Sequence, residues 1–184
     1  MKLKTFSMGG VHPEENKITA EVATVVAPLP QQAIFPLSQH IGAPAKPVVN
    51  RGDKVKVGTL IAEANGFVSA PIYSSVSGTV LKVDTAIDAT GYRKPAIYIN
   101  VEGDEWEESI DRSETLETLD KHPELTPEEI VNRIKVAGVT GMGGAGFPTF
   151  IKLCPPPTAK AECVILNGVE CEPYITSDYR LMME

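Results

Sequence analysis

Four glycines in six residues open the segment Gly141-Met142-Gly143-Gly144-Ala145-Gly146-Phe147-Pro148-Thr149, the part of the chain best suited to hold a ligand by its backbone. Lacking Cβ atoms, such a loop turns sharply and lets a ligand approach its main-chain N–H groups closely. Gly141-x-Gly143-x-x-Gly146 has the spacing of the dinucleotide fingerprint, but that fingerprint follows a strand in a βαβ frame, and here a helical pattern precedes it. The extension carries more weight: Phe147-Pro148-Thr149, then Lys152. Pro148 suits the first turn of a new helix, whose N-terminus would aim free N–H groups at one point. A phosphate is the ligand such a geometry takes.

A second polar cluster follows. Cys163-Val164-Ile165-Leu166 is a short apolar run suited to a buried parallel strand, and it leads into Asn167-Gly168-Val169-Glu170-Cys171-Glu172-Pro173. In open α/β sheets, ligands sit beyond the carboxyl ends of strands. Asn167 offers a donor and an acceptor, which suits an amide-rich heterocycle. Glu170 and Glu172 can accept hydrogen bonds from ribityl or ribose hydroxyls, or from a carboxamide. A solvated turn between strand and helix is the plain alternative, and the nearby glycine loop weighs against it.

The elements that must position these residues divide by texture. Up to Val101 the chain is rich in Gly, Pro and β-branched residues, with short alternating runs such as Thr79-Val80-Leu81-Lys82-Val83. That pattern predicts an all-β domain over 1–101. Residues 102–122 form an acidic stretch, expected to be a solvated linker. From 123 to 184 the texture is that of an α/β domain. It starts with Thr126-Pro127-Glu128-Glu129, a threonine N-cap with proline at N1 and glutamate at N3, followed by Ile130, Val131, Ile134 and Ala137 at helical spacing. A capped helix over Pro127–Val136 is predicted.

Within the β half, residues 48–83 place Arg51-Gly52-Asp53 and Ser77-Gly78-Thr79 as tight turns between short strands. This segment resembles the biotinyl/lipoyl type of barrel-sandwich hybrid. Members that act as swinging-arm carriers acylate a lysine at the tip of the central hairpin. The tip here is Ala64-Asn65-Gly66-Phe67, with no lysine between Lys56 and Lys82, so a structural or docking role is expected.

Composition removes several function classes. The net charge is −7, and no Lys/Arg cluster exists to displace counterions from nucleic acid. No apolar run approaches the roughly 20 residues that span a bilayer. The start, MKLKTFSMGG, lacks an apolar secretory core. Three cysteines without a C-x-x-C pair suggest neither a disulfide framework nor a metal centre, and no metal ligands are expected. A reducing, cytoplasmic setting fits.

At the two polar clusters the chain resembles a known family. GMGGAGFPTFIK and NGVECEP are similar to the segments that bind FMN and NADH in the flavoprotein subunit of respiratory complex I, G-x-G-G-A-G-F-P-T-x-x-K and N-x-D-E-S-E-P. The pieces GGVHP and PLSQHIGAPAKPVV, with the barrel-sandwich segment, narrow the resemblance to the RnfC family, the C subunits of the Rnf, or Rsx, electron-transport complex. The resemblance implies an α+β chain of two parts: the N-terminal barrel-sandwich hybrid, then the opening portion of a Rossmann-like FMN/NADH-binding domain. It implies NADH oxidation through FMN inside a membrane-bound, ion-translocating assembly, at the inner face of the cell membrane, with the other subunits as partners. Gly141, Gly143, Gly144, Ala145 and Gly146 match the family's loop, Phe147 the aromatic that stacks on the nucleotide, and Lys152 the cation of the site. Asn167 and Glu170 match flavin contacts, and Glu172 the glutamate near NADH.

Val169 stands where the complex I pattern has an aspartate, and Pro155 where an aromatic is expected. In the implied chemistry, hydride passes between cofactors, so no general acid or base is required of the protein. The [4Fe-4S] motifs of the family are absent, and the chain reads as an N-terminal fragment of an enzyme subunit, itself expected to be inactive. Two other readings stand beside this one: a non-enzymatic docking module, and a soluble NADH-linked reductase subunit serving another enzyme.

Overall fold

The computed structural model describes residues 13–184, apart from 89, 114, 116, 117, 143, 157, 159, 160, 164, 166 and 171. Packing divides the chain into two compact units, Pro28–Lys160 and a second one made of Met1–Ala27 with Ala161–Glu184. The larger holds seven strands: β1 (Gln32–Pro36), β2 (Lys46–Pro47), β3 (Lys54–Val55), β4 (Leu60–Glu63), β5 (Ile72–Tyr73), β6 (Ser77–Ile87) and β7 (Arg93–Gly103). They form a four-stranded sheet in the order β1-β7-β6-β3 and a three-stranded sheet β2-β4-β5, every pairing antiparallel. One core joins the sheets: Phe35, Val80, Ile97 and Ile99 from the first meet Ile61, Ala62 and Ile72 from the second. The alternation in the sequence puts these side chains on the inner faces.

The expected hairpin tip lies between β4 and β5. Gly66 takes φ +115°, a conformation that glycine adopts without strain at such a tip. The tip folds back on the barrel, because Asn65 N–H donates to Ser69 Oγ (2.9 Å) and Ser69 Oγ donates to the Ala43 carbonyl (3.0 Å). A lysine-free tip held in this way has no arm to swing. Intact mass of the purified protein is therefore expected to show no biotinyl or lipoyl increment; a species heavier by either group would overturn this.

The acidic stretch is less free than a linker. Its described carboxylates are exposed or, at Glu107, half-buried, but its first half is strapped to the barrel. Val57 N–H donates to the Glu105 carbonyl (2.8 Å) and Glu107 N–H to that of Val57 (3.0 Å). Lys56 pairs with Glu105 (2.6 Å) and Lys54 with Glu102 (2.9 Å). Ile110 seats where a Cβ on Gly58 would stand, 1.9 Å from its Cδ1.

Helix α1 (Pro127–Val136) begins and ends where its sequence signals place it. Thr126 Oγ1 accepts from Glu129 N–H (3.2 Å) and Thr126 N–H donates to Glu129 Oε2 (2.7 Å), closing the capping box. At the other end, Gly138 with φ +70° completes a Schellman motif: its N–H reaches the Lys135 carbonyl (3.1 Å) and Val139 N–H that of Ile134 (3.3 Å). The same glycine lies on the barrel, where a Cβ would come within 2.5 Å of the Pro71 carbonyl oxygen. Tyr73 Oη donates to the Val136 carbonyl at 2.5 Å. Burial pushes the Tyr73 phenol above its ordinary range, which keeps that donor protonated. Helix α1 therefore delivers the glycine loop to a fixed place on the barrel.

In the second unit, residues 13–27 run along residues 161–184, which include helix α3 (Ser177–Met183). The predicted strand Cys163–Leu166 is not formed by its described members: Cys163 and Ile165 are exposed and lie outside any strand, while Val164 and Leu166 lie outside the described residues. A parallel strand needs a neighbour reached through a crossover of a dozen or more residues, and the described part of this unit supplies none. Arg180 Nη1 donates to the Ala20 carbonyl (3.0 Å), and Thr24 N–H donates to Glu184 Oε1 (2.9 Å). The Arg180 guanidinium, helped by Thr24, holds the Glu184 carboxyl down at about 2. A depressed carboxyl stabilises the fold above its unfolded value near 4.5 and loses that contribution as pH falls through about 2. An amide titration should show Thr24 N–H shifting within that window; a midpoint at the ordinary glutamate value would disprove the contact.

Candidate functional site

The glycine loop is the tip of a pinned hairpin. Thr140 and Pro148 form an antiparallel bridge. Gly141 N–H donates to the Phe147 carbonyl and Thr149 N–H to that of Val139, both at 3.0 Å. The strand–loop–helix frame of a dinucleotide fingerprint is thus replaced by a helix, a two-sided neck and then α2 (Thr149–Lys152). Pro148 stands one residue earlier than expected, at the N-cap of α2, with no side-chain cap. Four residues make too short a helix to build an appreciable dipole, so anion attraction falls to the loop amides and to Lys152.

Within this hairpin the structure brings Gly141, Phe147 and Lys152 together. Lys152 Nζ stands 5.9 Å from the centre of the Phe147 ring. A Cβ built on Gly141 would lie 3.7 Å from Lys152 Nζ and 3.8 Å from Phe147 N. The bare Cα therefore leaves a notch bordered by an ammonium group and main chain. Gly144 and Ala145 are exposed, with nothing within 4 Å of a Cβ on Gly144. Gly143 lies outside the described residues.

Gly146 has a different task from its neighbours. It is buried at φ +63°, and a Cβ there would meet Gln39 O and His40 Cα at 3.0 Å each. Its carbonyl accepts from Ile41 N–H at 3.2 Å. The loop thus rests on the barrel backbone at residues 39–41. His40 holds that backbone still. Its Nε2 lies 3.1 Å from the Ala70 N and 3.2 Å from the Ala70 carbonyl, and its Nδ1 lies 3.1 Å from the Ile41 carbonyl, so both ring nitrogens meet main chain. Phe150, buried in α2, receives the Phe67 ring edge-on at 6.5 Å and Lys135 Nζ at 5.2 Å. His40, Gly138 and Phe150 position the loop, and sequence reasoning passed over them. Only Gly138 left a signal, a glycine just past the helical repeat.

Beside the loop neck lies a cavity of about 240 Å³, lined by His40, Tyr73, Gly138 and Thr140 among others. It is below the ~300–1,000 Å³ of small-molecule sites and cannot enclose a flavin ring. The surface notch at Gly141 suits the phosphate end of such a cofactor: bare backbone, a cation, and a neighbouring aromatic face. Lys152 makes no ion pair among the described residues, so its charge is open to a ligand.

The Asn167–Glu172 cluster belongs to the other compact unit. Asn167 Oδ1 accepts from Val169 N–H (3.0 Å), which shapes the turn. Glu170 Oε1 accepts from Asp178 N–H (2.9 Å) and so caps α3, whose own N-cap, Thr176, makes no side-chain cap bond. Part of the hydrogen-bonding capacity expected to serve a ligand is thus committed to local structure at both residues. The Glu172 side chain is exposed, while its carbonyl accepts from Lys17 Nζ (2.8 Å). Tyr174 nearby takes φ +68°, a left-handed conformation costing a tyrosine roughly 1–3 kcal/mol. Among the described residues no group of acidic, His or Cys side chains could hold a metal, and no helix is long and apolar enough to cross a membrane.

Residues 4–104 match the RnfC barrel sandwich hybrid domain, and residues 134–184 match the Nuo51 FMN-binding domain. Over an aligned stretch that covers 99% of its length, the chain is 47% identical to the C subunit of the proton-translocating ferredoxin:NAD(+) oxidoreductase complex of Clostridium ljungdahlii. It is 44% identical to the C subunit of the Na(+)-translocating counterpart of Acetobacterium woodii, again over 99% of its length. It is 43% identical to the C subunit of the ion-translocating oxidoreductase complex of Rhodobacter capsulatus. It covers 39%, 40% and 35% of these relatives, respectively. The first match takes in the two-sheet sandwich, and the second takes in both polar clusters. The chain belongs to the RnfC family, the C subunits of the Rnf electron-transport complex.

Proposed function

We propose that the chain is the N-terminal portion of a redox subunit in which the glycine loop, Asn167 and Glu170 serve FMN and Glu172 serves NADH. The observation that carries this reading is the coincidence of the FMN-binding match over 134–184 with the notch at Gly141, where Lys152 and Phe147 converge. In this reading residues 123–184 open a Rossmann-like α/β domain, and acidic residues 102–122 connect it to the barrel. FMN, when bound, exchanges a hydride with the nicotinamide and single electrons with iron–sulfur clusters. Those clusters would lie in sequence beyond this chain. Gly144 and Ala145 present exposed main chain, Gly141 leaves a bare Cα while its N–H stays with the Phe147 carbonyl, and Lys152 neutralises phosphate charge. Phe147 supplies a flat apolar face for a ring. Asn167, Glu170 and Glu172 orient polar edges, and no side chain acts as acid or base. The barrel contributes a rigid seat for the loop.

The names of the relatives, ferredoxin:NAD(+) oxidoreductases coupled to proton or Na(+) translocation, support placement in a membrane-associated complex with the other subunits as partners; in this reading the chain lies at its cytoplasmic face. Titrating FMN into the complete subunit while following flavin fluorescence tests the assignment. Saturable quenching at micromolar protein is expected, and its absence would sink the FMN reading. The 184-residue chain alone should bind at best in the millimolar range, since an exposed ring forfeits the burial that drives flavin affinity.

A further inference from the structure

We infer that Lys17 is a positioning residue for the Glu172 contact with the nucleotide, acting as a clamp that sets the Glu172–Ile175 turn; the inference rests on the reading that Glu172 meets NADH. Lys17 Nζ donates to two carbonyls three residues apart, Glu172 (2.8 Å) and Ile175 (2.7 Å). On either side of it, Tyr174 N–H donates to the Glu15 carbonyl (2.8 Å), and the Thr19 and Thr176 hydroxyls share a hydrogen bond of 2.7 Å. Residues 15–19 are thus sewn to residues 172–176 along one seam. Both non-glycine residues with positive φ among those described lie in this seam: Asn16 at +46° and Tyr174 at +68°.

A tyrosine in the left-handed region persists only where its surroundings over-determine it. The turn gathers the carbonyls of Glu172 and Ile175 onto one point, where their dipoles repel unless a cation sits between them. Lys17 is that cation. Removing it frees Tyr174 to relax to negative φ and rotates the peptide of Glu172, the residue assigned to NADH. Lys17 has no role in the chemistry itself, because its ammonium is spent on two carbonyls. Its effect reaches the ligand through the direction of Glu172.

This is tested in the complete subunit by steady-state NADH oxidation with ferricyanide as acceptor. Lys17→Met should raise KM for NADH about tenfold while kcat and FMN content stay unchanged, because a small misplacement of one contact weakens binding without touching the flavin. Glycine holds φ near +68° without strain, so Lys17→Met with Tyr174→Gly should return KM to within about threefold of the parent. A purely structural lysine would lower FMN content and would not be rescued by glycine. Amide exchange in the absence of nucleotide gives a second readout, in which Tyr174 N–H should exchange about tenfold faster or more in Lys17→Met. An unchanged KM in a subunit that does bind NADH overturns the inference alone. A parent subunit that does not bind NADH overturns the nucleotide reading and the inference with it.

Discussion

Alanine at position 146 should lower the stability of the protein by about 2–4 kcal/mol. Two costs add: a left-handed residue that is no longer glycine, and a methyl group forced against backbone. The neighbours at 3.0 Å, Gln39 O and His40 Cα, cannot swing aside as a side-chain tip would. His40 is itself pinned through both ring nitrogens, so the strain has nowhere local to go. Gly144→Ala is the control: it meets nothing within 4 Å and should change stability by less than about 0.5 kcal/mol. Urea unfolding of the two variants separates the roles of glycines two positions apart. Equal, small effects would show that the loop does not rest on the barrel in solution.

For Lys152→Met in the complete subunit, affinity for FMN or NADH should fall about tenfold to a hundredfold. Charge-assisted hydrogen bonds contribute roughly 1.5–3 kcal/mol, and one decade of affinity is ~1.4 kcal/mol. No other cation lies within ten residues of Phe147 in sequence, and Lys135, the next one back, faces the Phe150 ring. Methionine keeps most of the aliphatic stem. The lost contact with the Phe147 ring, at 5.9 Å on an exposed surface, is worth at most about 1 kcal/mol of stability. Isothermal titration with FMN and with NADH reads the effect, and unchanged affinity for both would remove Lys152 from the site.

Local signals were legible in the sequence to the residue. Thr126, Pro127 and Glu129 announced α1 because a capping box is complete within four positions. Gly52 and Gly66 marked turns because positive φ is costly for any other residue. The alternation around Thr79–Val83 gave β6, though not its length, since the hairpin beyond the core follows from pairing with β7. Contacts made across the chain were not legible. Nothing in Gly146 says that Gln39 stands opposite it, and nothing in Lys17 points to carbonyls more than 150 positions away. The site residues were named by pattern. What the pattern could not convey is that Gly146 serves the barrel, and that Glu170 already caps a helix.

The smaller unit is discontinuous: residues 13–27 belong with residues 161–184, and the whole sheet sandwich intervenes. On a ribosome adding ~5–20 residues per second, the first segment emerges roughly 7–27 s before the segment it binds. The barrel, with its core contained in Pro28–Lys160, can fold in that interval. Meanwhile Val22, Val25 and Val26, which stay exposed even in the folded chain, trail unpaired at the nascent terminus. Assembly of the Asn167–Glu172 cluster therefore follows folding of the barrel, and that order is imposed by chain connectivity.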